Sequence, residues 1–99
     1  MNTGSRWRFE PERLREALVR WTPRSPSDRE HVHEALMDLV VYPFERGVEE
    51  PPSSGIFVCN VGHNIVIVFV PTPEPDERGD RWLAVIDIAY GEAAATPED

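Results

Sequence analysis

Gly55-Ile56-Phe57-Val58-Cys59-Asn60-Val61-Gly62-His63-Asn64-Ile65-Val66-Ile67-Val68-Phe69-Val70 is the stretch that decides the fold. β-Branched and aromatic residues fill both arms, and Gly62-His63-Asn64 separates them with turn formers. The spacing predicts a hairpin, with a strand over 56–61, a tight turn at 62–64 and a second strand over 65–70. The second arm has no polar member, so it reads as a central strand or one covered on both faces.

Downstream, the segment 71–80 holds Pro71, Pro73 and Pro75 among acidic residues and Gly79, which marks a loop of restricted freedom. A last strand follows over 82–89, with Trp82, Ala84, Ile86 and Ile88 on one face. Residues 92–99 are small and acidic and read as a disordered tail. Upstream of the hairpin, residues 47–55 run through Glu49-Glu50-Pro51-Pro52-Ser53-Ser54 and read as an exposed loop.

The period before residue 47 is helical. Val32, Ala35, Leu36, Leu39 and Val40 mark one face of a helix that Pro43 ends, and Ser27 with Glu30 has the spacing of a capping box at its start. Leu14, Ala17, Leu18 and Trp21 form the apolar stripe of an earlier helix, opened by Pro11 and stopped at Thr22-Pro23. Two such helices with a short connection are expected to pack as an antiparallel pair. Before them, Ser5-Arg6-Trp7-Arg8-Phe9 alternates like a short edge strand with Trp7 and Phe9 inward. The expected class is α+β: strand, helix, helix and a three-stranded antiparallel meander, with the helices on one face of the sheet. The place of the first strand in the sheet stays open. The length of 99 residues suits one domain, expected over 1–91.

Net charge is −8, and all ten basic residues are arginines. Residues 1–29 carry +3 and residues 30–99 carry −11, so the body repels phosphate backbones and direct nucleic-acid binding is not expected. One cysteine excludes an intrachain disulfide. The N-terminal residues lack the pattern of a signal peptide, and the longest apolar run is far short of a membrane span, so a cytoplasmic protein without membrane association is expected.

Taken in order, several of these segments resemble the RelE/ParE superfamily of bacterial toxins, over residues 6–91. The carrying motifs are Trp7-Arg8-Phe9-Glu10-Pro11 before the first helix, Leu39-Val40-Val41-Tyr42-Pro43 with Gly47 after the second, and Val61-Gly62-His63-Asn64-Ile65-Val66-Ile67-Val68 in the hairpin. The resemblance implies a toxin-like protein of a type II toxin–antitoxin system, with an antitoxin-like protein as its partner and the ribosome or gyrase as its target. This chain departs from the family at the ribonuclease positions. Asn60 and Ile65 stand where the family places hairpin arginines, and Asp87-Ile88-Ala89-Tyr90-Gly91 retains only Tyr90 of the closing set. A protein-binding mode is therefore expected over RNA cleavage, since cleavage needs cations around the scissile phosphate. The alternatives are a ribosome-dependent endoribonuclease, with Arg46, His63, Arg81 and Tyr90 as its candidate catalytic residues, and an interaction domain without a toxin role. A homo-oligomer remains open.

No cofactor or metal is expected. His31 and His33 are two apart, so they point about 200° from each other on a helix and cannot share an ion. His33-Glu34 opens an H-E-x-x-H pattern that fails at Met37. Cys59 sits mid-strand without a nearby histidine and reads as a buried small hydrophobe.

Overall fold

The computed structural model describes residues 6–62, 64–72 and 74–91. The elements run β1 (Arg6–Phe9), α1 (Pro11–Arg20), α2 (Pro26–Val41), α3 (Pro43–Arg46), β2 (Val48–Glu49), β3 (Phe57–Val61), β4 (Ile65–Pro71) and β5 (Asp80–Tyr90). They form an α+β structure on a five-stranded mixed sheet of order β1-β5-β4-β3-β2. β2 to β5 pair antiparallel with their sequence neighbours, while β1 joins the far edge parallel to β5, Phe9 opposite Leu83. The apolar β4 is the central strand. The hairpin turn is set by Gly62 at φ +62, a left-handed conformation that suits glycine.

One sheet face makes the core. Phe57, Cys59, Val61, Ile65, Ile67, Phe69, Leu83, Val85 and Ile88 meet Ala17 and Trp21 from α1 and Val32, Leu36 and Leu39 from α2. β4 alternates along its length, burying Ile65, Ile67 and Phe69 on this face while Val66, Val68 and Val70 point to the other.

Several local expectations are corrected. The cap of α2 is Ser25, whose hydroxyl accepts the Asp28 N–H at 3.1 Å, rather than Ser27. Pro26 takes the first helical position, where its missing N–H costs nothing, and so moves the cap two residues back. Pro43 ends α2 and at once opens α3. The 47–55 segment is no plain loop, since Val48 and Glu49 pair with Val58 and Phe57 as β2. Consequently the sheet is a mixed five-stranded one rather than a three-stranded meander with a strand of unknown place. α1 rests mainly on β5, and α2 on β1, β3 and α3, so each helix packs on the sheet more than on its helical neighbour.

The last strand differs most. Val68 pairs with Asp87 but Phe69 pairs with Val85, so Ile86 is an extra residue on β5. This bulge breaks the alternation, and the buried set is Leu83, Val85 and Ile88 rather than Trp82, Ala84, Ile86 and Ile88. Leu18 is likewise 40% exposed although it lies on the apolar stripe of α1. The expected acidic tail at 92–99 lies outside the described residues.

Candidate functional site

A polar cleft lies between α2 and β3. Glu34 and Asp38, one helical turn apart on α2, form one wall with His31. Arg46 joins the lining from α3, which Pro43 opens. Cys59, Asn60, Val61 and Gly62 supply the other wall, and the cleft encloses about 280 Å3.

Its chemistry is modest. Arg46 Nη2 stands 3.8 Å from Asp38 Oδ2, and both side chains are more than half exposed, so the pair contributes little to stability. Cys59 is buried as expected. Burial pushes its thiol above the ordinary value of 9.0, with Arg46 opposing and Asp38 reinforcing the rise, so at neutral pH it is a protonated thiol rather than a nucleophile. With Glu34 and Asp38 facing Arg46, the charged side chains lining the cleft sum to a negative charge, which disfavours a phosphate. Among the described residues no three histidine, cysteine or carboxylate side chains come together as a metal site.

Tyr90 is held elsewhere, in a network that joins the end of β5 to the start of α2. Its hydroxyl donates to Asp28 Oδ2 at 2.6 Å and accepts the Arg24 backbone N–H at 2.7 Å. The Arg24 guanidinium lies 4.0 Å above the phenol ring, and the Trp21 ring is 6.0 Å away. Burial first, and then the bond to the Asp28 carboxylate, raise the phenol above its ordinary value of 10.0. Tyr90 is thus a fixed donor at neutral pH. Its partners Arg24 and Asp28 were not singled out from the sequence, where they lie 66 and 62 residues away with no local pattern to link them.

Arg81 occupies the opposite end of β5, nine residues and about 30 Å of strand from Tyr90. Its guanidinium sits 5.4 Å above the Trp7 ring, and its Nε has no hydrogen-bond partner among the described residues. His63 lies outside the described residues; its neighbour Gly62 lines the same cleft as Arg46. Arg46, Arg81 and Tyr90 therefore stand at three separate places. His31 and His33 are both exposed on α2.

The second sheet face has a different character. Val48, Val58 and Val68 lie in one row across β2, β3 and β4, and Val70 pairs with Ala84 on β5 in the next. Val66 and Trp82 extend this apolar surface to either side. None of these residues belongs to the core or packs against it. The Arg8 Nε–Asp80 Oδ2 pair, at 3.2 Å, borders it on the β1 side. No helix among the described residues is long and apolar enough to cross a membrane. Compared with known proteins, the chain matches no family model, no curated protein and no solved structure.

Proposed function

We propose that this chain is a toxin-like protein of the RelE/ParE kind, paired with an antitoxin-like partner, that acts by binding a protein rather than by cleaving RNA. The observation that carries the reading is the valine-rich outer sheet face. An apolar surface spread over four adjacent strands, in a molecule of charge −8, favours contact with another protein over solvent or nucleic acid. The separate commitments of Arg46, Arg81 and Tyr90 support it. Each is already engaged by Asp38, by the Trp7 ring, or by Asp28 and Arg24. Converging cations are what phosphate chemistry would ask of them.

Inducible expression in a bacterial host tests the proposal. Wild-type protein is expected to arrest growth, and Val68→Asp, on the outer face, is expected to abolish the arrest while keeping a cooperative melt. Arrest that survives in a folded Val68→Asp protein, or no arrest by the wild type, would overturn it.

A further inference from the structure

The outer sheet face is apolar in its middle and carries opposite charges at its two ends. On β5, Asp87 lies opposite Val68, Ala84 opposite Val70, and Trp82 opposite Arg8. Val70 and Ala84 therefore form the middle row. The Val68 row continues through Val58 to Val48, which is 60% exposed. The polar groups at this face are few. The Trp82 indole N–H is taken by Asp76, so the tryptophan leaves no donor unmatched. Arg8 is paired with Asp80, yet its side chain remains 47% exposed and can accept a second carboxylate. Asp87 is exposed, and its carboxylate has no partner among the described residues.

A face of this pattern is complementary to itself. A two-fold axis across the strands, at the Val70–Ala84 row, exchanges the two ends. Valines then meet valines, and Asp87 of each copy meets the end that holds Arg8 of the other. A two-fold axis along the strands would instead exchange the sides and set Asp87 against the valine row of β3, desolvated and unpaired. From this we infer that the free chain covers its outer face with a second copy of itself, sheet against sheet with opposed strand directions, and that the protein partner displaces that copy. The inference rests on the outer face being the binding surface, and it adds what covers that surface before the partner arrives. The seven residues of β4 run about 23 Å, and four strands span about 19 Å, so the face offers about 440 Å2 per copy. The pair buries about 900 Å2, below the roughly 1,200 Å2 at which stable complexes begin. The dimer is accordingly weak and exchanging, as a surface kept for another protein requires.

Sedimentation of the full chain from about 5 to 500 µM tests this, with 15N chemical shifts followed over the same range. The average mass is expected to rise from 11.3 kDa towards twice that value, with shifts centred on Val58, Val68, Val70 and Ala84. Val70→Asp, which sets two carboxylates side by side at the axis, is expected to weaken the dimer at least about tenfold while keeping a cooperative melt. Asp87→Arg, at an exposed position, turns each end contact into a repulsion with Arg8 and is expected to weaken it at least about threefold. Should Val70→Asp fail to fold, Asp87→Arg decides alone. A chain monomeric at every concentration overturns the inference and leaves the face to a different protein. So does a dimer that either folded variant forms as tightly as the wild type, or one whose shifts lie on the helices. A monomer that still arrests growth sinks the self-association alone, whereas a dimer without growth arrest sinks the wider reading.

Discussion

Replacing Gly47 by alanine puts a methyl group where the fold has no room for it. A Cβ there would lie 2.5 Å from Cζ and 2.8 Å from Cε1 of Phe69, and 3.0 Å from the Pro43 carbonyl oxygen. Carbon atoms rest at about 3.5–4.0 Å, so the ring must retreat by about 1 Å. Its surroundings resist that. Phe69 is fully buried and stacks on Phe57 with centroids 5.6 Å apart, and Phe57 meets Phe44 at 5.3 Å. Overpacking of this kind costs about 1–3 kcal/mol. The backbone at Gly47, φ −108 and ψ 150, suits alanine, and the stiffer unfolded chain returns about 0.4–1 kcal/mol. A net loss of about 1–2 kcal/mol is expected, read by urea unfolding with tryptophan fluorescence and as a fall in Tm of roughly 5–15 °C. Phe69→Leu in both backgrounds completes the cycle. The smaller side chain should relieve the clash, giving a coupling of at least about 0.5 kcal/mol between the two sites. A Gly47→Ala change within about 0.5 kcal/mol of zero, or additive effects, would refute the close approach of α3 to β4.

Leu36→Ala, at the centre of the buried face of α2, is expected to cost about 2–5 kcal/mol in the same urea assay, and a change below about 0.5 kcal/mol would mean the helix is turned differently. Cys59 is expected to resist a thiol-reactive dye in the native state and to react on unfolding, because its thiol is buried and its pKa is raised. Asp76 accepts N–H bonds from Arg78, Asp80 and the Trp82 indole, and the bond from Asp80 leads in holding its pKa below the ordinary carboxylate value. A lowered folded pKa gives stability that is present above the unfolded pKa of about 3.9 and lost as pH falls through the folded value. Asp76→Asn should therefore flatten the acid limb of a stability–pH profile, and an unchanged limb would exclude the carboxylate as its source.

The hairpin was legible in the sequence because its signal is local: β-branched and aromatic arms around a glycine turn, with an all-apolar arm that proved to be the central strand. Both long helices were legible from their apolar spacing. The errors came where tertiary contacts override local pattern. The β5 bulge at Ile86 is fixed by the pairing with β4, which no alternation within β5 reveals. β2 is two residues long and stands next to Glu50-Pro51-Pro52, a run that reads as loop. Ser25 was passed over for Ser27, although Ser25 and Asp28 have the spacing of a cap and Pro26 fits the first turn. At the site, the separate residues were legible but their partners were not. Tyr90 reaches Asp28 and Arg24 only because β5 ends beside the start of α2.

The central claim is that this chain acts by protein contact rather than by cutting RNA. Mapping mRNA cleavage on translating ribosomes supplied with the purified protein tests it most directly. Cleavage through attack of the 2′-oxygen concentrates negative charge on the phosphate, and losing one preorganised donor costs about 10²–10³ in rate. Asn60 and Ile65 supply no cation to the hairpin, and Arg46, Arg81 and Tyr90 stand at three separate places. The account predicts intact mRNA under conditions in which an active RelE-like toxin cuts. Cleavage in the ribosomal A site that disappears in Arg81→Ala or Tyr90→Phe would contradict it.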